Sequence, residues 1–237
     1  MIILFDVETT GAGEGAEIIE AAVAEVTMPA GETPYLIALG DVRVQRYKPT
    51  KPIDLGALAA HHILEAELTN EPPASTFALP AETKLMIGHN IDFDWKMAGS
   101  PPIHRVCTLA LARSVWPTLD TYSQGALLYH LLPHHVAREK LVTAHNAETD
   151  VRNLFLVLSA ICAVLQPKSW RELYRFGEEA RIPKFITFGK HKPKPGEAPK
   201  PFTELPRSYR EWLLKEPEMD PYVKVAVRRS FGMADVE

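Results

Sequence analysis

The opening residues, MIILFDVETTG, set two carboxylates, Asp6 and Glu8, inside an apolar run of strand-favouring residues. Side chains alternate between the faces of a strand, so Asp6 and Glu8 would lie side by side on one face. Like charges that close repel and cost stability. An exposed edge would tolerate them. The first strand of a mixed sheet is usually central, however, and burying two unpaired carboxylates there is prohibitive. No lysine or arginine lies close in sequence to neutralise them. A divalent cation would, and magnesium or manganese, which prefer hard oxygen ligands, need only a few carboxylates.

The segments that follow restrict the architecture further. AEIIEAAVAEVT and YLIALGDVRVQRY read as two more strands, separated by the turn cluster MPAGETP, which predicts an antiparallel three-strand meander. LGALAAHHILEAEL reads as a helix or two short helical turns, LMIGHN as a buried strand leading into a helix, and RVCTLALARSVWP as a strand passing into a helix that Pro117 ends. SQGALLYHLLP predicts a helix capped by Ser123, and apolar residues from Val151 to Leu165 recur at helical spacing. Antiparallel strands followed by alternating strands and helices predict an α/β domain around a mixed sheet, ending near Leu165.

Composition excludes some classes. With 237 residues, 46% hydrophobic and 24% charged, the chain suits one sizeable core plus an appendage. No apolar run approaches the ~20 residues of a membrane span. The N-terminus lacks a basic segment followed by an apolar signal stretch, so a cytoplasmic location is expected. Cys107 and Cys162 sit in apolar surroundings and are expected to be reduced and buried. A net charge of −4 argues against a general nucleic-acid coat, but the charge is uneven. Acids crowd the first third, whereas Lys184, Lys190, Lys192, Lys194, Lys200, Arg207 and Arg210 populate the tail. Such a tail fits a polyanion, or is simply solvated.

Two later stretches also carry acids where strands and helices meet. GHNIDFDW places Asp92 and Asp94 at a helix start, and AHNAETDV places His145 before the long helix and Asp150 in its first turns. Each acid singly has an ordinary explanation in the helix dipole. Together with Asp6 and Glu8 they supply the carboxylates for a pair of ions about 3.5–4 Å apart, the arrangement used to cut phosphodiesters.

In order and spacing, DxETTG (Asp6–Gly11), GHNxxFD (Gly88–Asp94) and HxAxxD (His145–Asp150) resemble the three motifs of DnaQ-like 3′→5′ exonucleases of the DEDDh subgroup. One motif would be weak; three in register are a strong signal. AHHILEA resembles the His-rich helix that precedes the second motif, and VCTLALARSVWP followed by YSQGAL resembles the exodeoxyribonuclease X branch. The resemblance covers roughly residues 1–165, read as one exonuclease domain, with 166–183 as a helical linker and 184–237 as a small basic C-terminal module.

The resemblance implies an RNase H-like fold and two bound Mg²⁺ or Mn²⁺ ions. Asp6, Glu8 and Asp150 would hold one ion, Asp6 would also touch the second with Asp94, and His145 would be the general base. Asn90 and Phe93 would shape the site, and the backbone around Thr9 and Thr10 would touch the terminal sugar of a DNA strand. Gly11 is expected to take a conformation closed to other residues. Many relatives carry a bulky apolar residue after this glycine; here Ala12 stands there, so His61, His62 or Ile63 would take over some contact with the terminal base. Asp92 has no part in the pattern and reads as a helix-start residue. In the tail, Phe188–Lys192 and Leu205–Leu214 resemble a small module found behind some exonuclease X-like domains, interrupted by the Lys/Pro-rich KPKPGEAPKPF. Its basic and aromatic residues suit either nucleic acid or a protein partner. An exoribonuclease or oligoribonuclease on the same fold, and a non-catalytic nucleic-acid-binding or partner-docking protein, remain alternatives.

Overall fold

In the computed structural model, which describes residues 1–29, 36–142 and 146–234, the first strand is the central strand of a five-stranded sheet. Strands β1 (Ile2–Thr9), β2 (Ile18–Thr27) and β3 (Ala38–Arg46) form the expected antiparallel meander. Strands β4 (Leu85–Gly88) and β5 (His104–Cys107) then add in parallel on the other side of β1, giving the order β3-β2-β1-β4-β5. The alternation in β1 sorts its side chains by face. Ile3, Phe5 and Val7 join a core with Met86, Ile91 and Tyr47, while Asp6 and Glu8 turn to the opposite face.

Nine α-helices lie among the described residues: α1 (Leu55–His61), α2 (Asp92–Met97), α3 (Thr108–Val115), α4 (Gln124–Leu131), α5 (His134–Leu141), α6 (Ala147–Leu165), α7 (Trp170–Arg181), α8 (Arg207–Lys215) and α9 (Pro221–Ser230). Helix α6 packs across the meander and buries Val151, Leu154, Val157, Leu158 and Ile161, each side chain contributing about 1.5–3 kcal/mol of burial. Its start is fixed locally. The Asn146 side chain accepts the Thr149 N–H at 3.0 Å, a cap whose loss costs about 1 kcal/mol. Ser123 caps α4 in the same way through the Ala126 N–H, as the sequence predicts.

Two local expectations are refined. LGALAAHHILEAEL divides into α1 and a 3₁₀ turn at Glu65–Leu68, because His62 takes a left-handed conformation (φ 58°) and His61 Nδ1 accepts the Ile63 N–H at 2.9 Å. Gly11 does not occupy the left-handed region, contrary to the expectation for it. It is required by close approach: a Cβ there would run into the Asp54 carboxylate, whose own backbone N–H bonds the Thr10 carbonyl at 2.8 Å. Cys107 and Cys162 are free and buried, as expected.

The chain divides into two compact units, Met1–Gly177 and Glu178–Glu237. The second has its own core of Ile186, Phe202, Leu205, Tyr209, Leu213, Val223 and Val227. Its Lys/Pro-rich stretch, residues 193–200, forms no helix or strand, since each proline removes a donor and fixes φ. No helix among the described residues is long and apolar enough to cross a membrane.

Candidate active site

Strand β1 delivers Asp6 and Glu8 to the face covered by α6, and α6 delivers Asp150 from its first turn. One oxygen from each of the three acids lies within 4.8 Å of the others, close enough to share a metal ion. They line an open cavity of about 410 Å³ together with Asn90, Phe93 and Asp94. Donor chemistry fits a hard cation: the three are carboxylates, and a bound cation would relieve their mutual repulsion.

Asp94 reaches this cavity for a reason of strand lengths. The pairing of β1 with β4 ends at Leu4 and Ile87, yet β1 continues to Thr9. The Val7 N–H therefore extends past the end of β4, and Asp94 Oδ1 accepts it at 3.2 Å. Asp92 and Asp94 are two residues apart on a helix and so point in different directions. Asp94 is buried, whereas Asp92 turns outward to Arg105 at 2.6 Å, a helix-start residue as expected. Asn90, between strand and helix, adopts φ 65°, a conformation asparagine tolerates better than most residues.

The electrostatics agree with the geometry. Burial, then repulsion from Asp94, Asp150, Glu8 and Glu20, holds the Asp6 carboxyl well above its usual range. Burial and the neighbouring acids push Glu8 up to about 8, and burial pushes Asp94 to about 7, against the lowering effect of its own and the Val7 N–H groups.

The other residues singled out in the sequence lie as follows. Thr9 and Thr10 are buried at the end of β1; the Thr10 N–H bonds the Glu17 carbonyl at 2.9 Å and its carbonyl accepts from Asp54, so this part of its backbone is engaged within the fold. Ile63 is buried against Ile19 and Leu68, and His61 is buried as well, so of the three residues expected to meet the terminal base only His62 is exposed. His145 lies outside the described residues.

One residue escaped notice in the sequence. Glu20 of β2 stands opposite Glu8 on β1 and opposite Arg46 on β3, so the three form a row across the meander. Its buried carboxylate takes the Arg46 Nε at 2.7 Å and the Ala147 N–H, the first of α6, at 3.0 Å. Glu20 thereby ties the N-terminus of the helix that bears Asp150 to the strand beside Glu8. The available signal was an acid inside a strand whose neighbours Ile19, Ala21 and Ala22 are apolar on both faces. Replacing Glu20 with alanine is expected to raise amide exchange at Ala147 and to cost about 1–3 kcal/mol in urea unfolding; unchanged exchange at Ala147 would remove its tethering role.

No family model matches the chain. Over 186 residues it is 24% identical to exodeoxyribonuclease 10 of Escherichia coli strain K12, a span of 76% of this chain and 80% of that protein. The match to the protein of that name from Escherichia coli O6:H1 strain CFT073 has the same identity and coverage. Among solved structures, exonuclease X in complex with 5′-overhanging duplex DNA superposes with a TM-score of 0.56 at 22% identity, covering 75% of this chain and 99% of that one. The chain is thus similar in sequence to exodeoxyribonuclease 10 and in fold to exonuclease X. Its mixed sheet with flanking helices is the RNase H-like fold of exonuclease X, as the motifs implied.

Proposed function

We propose that the chain is a divalent-metal-dependent 3′→5′ exonuclease that hydrolyses DNA phosphodiesters from the 3′ end and releases nucleoside 5′-monophosphates. The observation that carries this reading is the convergence of Asp6, Glu8 and Asp150, distant in sequence, to within one ion's reach beside Asp94 in an open cavity. The names of the relatives support DNA as the substrate and a DNA strand as the bound polymer.

Hydrolysis of a phosphodiester requires neutralised charge, an oriented water and a stabilised leaving group. Bound Mg²⁺ or Mn²⁺ supplies charge neutralisation and a water of lowered pKa. Asp6, Glu8 and Asp150 would hold one ion, and Asp94, with Asp6, the second. Asp94 is oriented for this by the Val7 N–H. His145 would take the proton of the attacking water on a ring nitrogen, a role that suits histidine because an ordinary imidazole changes charge near neutral pH. The new bond runs from water oxygen to phosphorus, and the bond to the 3′-oxygen of the penultimate nucleotide breaks. The phosphate leaves on the 5′-oxygen of the terminal nucleoside, and the freed 3′-oxygen takes up a proton from solvent.

The test is release of mononucleotides from strands labelled at the 3′ or 5′ end, as DNA and as RNA, with Mg²⁺, Mn²⁺ or chelator. Early release of the 3′ label from DNA, dependent on the cation, is expected. Preference for RNA would move the reading to an exoribonuclease on this fold. An unchanged rate in the His145→Ala variant would overturn the assignment of the base.

A further inference from the structure

The second unit holds an aromatic and basic surface that the chemistry above does not use. Tyr209 and Trp212 lie three residues apart on α8, so their side chains share a helix face. The rings stack at 5.4 Å between centroids, 19° from parallel. Tyr209 is anchored in the core with Leu205 and Leu213, but Trp212 is 48% exposed. The loop above is pressed onto Tyr209. Gly189 adopts φ 64°, and a Cβ there would strike the Tyr209 hydroxyl. The same loop sets Lys190 Nζ 4.7 Å from the Tyr209 ring centroid, and the His191 ring meets Tyr209 edge-on at 4.5 Å. Lys190, Ser208, Tyr209 and Trp212 together line an open cavity of about 450 Å³.

We propose that this cavity is a stacking subsite for single-stranded nucleic acid, with a base on Trp212 and the adjoining phosphate on Lys190 and the Ser208 hydroxyl. A ring face beside a fixed ammonium and a hydroxyl donor matches the two parts of a nucleotide: a flat π-system and an anion. The charge of the surroundings selects the same partner. From Lys184 to Lys215 the chain carries eight lysines and arginines against three glutamates, in a protein whose net charge is −4. A proline-rich peptide would use the rings but not the cations, and an acidic peptide would use the cations but not the ring face. The inference shares with the proposed function only the nature of the polymer.

Binding is measured on the full chain in chelator, where no strand is cut, by anisotropy of a fluorescein-labelled oligothymidylate of about 12 nucleotides, within the range that one single-strand-binding site spans. Trp212→Ala is expected to weaken binding about fivefold or more, the effect of one lost stacked base, and Trp212→Phe to retain most of it. Lys190→Gln is expected to reduce the slope of log affinity against log salt by about 0.7, one phosphate contact on a single strand. Because Trp212 is half exposed, its replacement leaves the core intact. Equal affinity in the parent and Trp212→Ala would overturn the proposal, as would no binding by the parent, or Trp212-dependent binding of a proline-rich peptide in place of the oligonucleotide. Hydrolysis by the parent with Mg²⁺ or Mn²⁺ is read separately. Its failure alongside Trp212-dependent binding would remove the exonuclease reading and leave this one standing.

Discussion

Asp6→Asn is expected to lower the rate of 3′-end hydrolysis by about a thousandfold, because it removes several kcal/mol of charge stabilisation from the proposed reaction. The same substitution is expected to stabilise the metal-free protein. Asp6 is buried among Asp94, Asp150, Glu8 and Glu20, each of which disfavours its charge. An amide keeps the shape and removes one member of that cluster, so the melting temperature in chelator should rise by about 2 °C or more. The two measurements together separate loss of the site from loss of the fold. A rate within about twofold of the parent, far short of the effect of losing such an interaction, would place the chemistry elsewhere. A lowered melting temperature in the variant would show that Asp6 is satisfied by partners within the fold.

The second large effect is the dependence of stability on pH and cation. Glu8 titrates near 4.5 in the unfolded chain and is raised to about 8 in the folded one; Asp94 moves from 3.8 to about 7, and Asp6 moves in the same direction. Between these values the folded state holds more protons than the unfolded state, so stability falls as pH rises. The contribution is complete below about pH 4 and is lost as pH passes through the folded values near 7 and 8. In chelator the melting temperature should therefore decline from pH 5 to pH 8 beyond what the remaining groups impose, and Glu8→Gln should flatten that decline. Saturating Mn²⁺ replaces the protons. At a hundredfold excess over its dissociation constant a cation adds about 2.7 kcal/mol, and its affinity grows as the acids ionise. The gap between melting curves with and without Mn²⁺ is expected to widen towards pH 8. A metal-free stability that rises over this range would contradict the buried acid cluster.

Much of this arrangement is legible in the sequence because it is written in short-range periodicity. The alternation through Asp6 and Glu8 and the helical spacing from Val151 to Leu165 are properties of neighbouring residues, and both appear in the structure as β1 and α6. Helix α5, HHVAREKL, was not legible: it begins at a proline and a pair of histidines, and only Ala137 is fully buried, so no apolar stripe announces it. Asp92 and Asp94 could be separated by their motif, but the reason for the inward position of Asp94 is the length by which β1 overhangs β4. For Gly11, the sequence suggested a backbone requirement where the structure shows a steric one imposed by Asp54, more than forty residues away.

By itself, then, the order of residues determined the mixed sheet, the long helix and which acids carry the resemblance, since local patterning and motif spacing need no knowledge of the folded shape. Tertiary structure alone decided that Glu20 bridges Arg46 to the start of α6, that Ile63 and His61 turn into the interior, and that Lys190 folds over Tyr209 beside an exposed Trp212. Each of these depends on which segments meet after the chain closes on itself, and a side chain's partner across the fold leaves no periodic mark in the sequence around it.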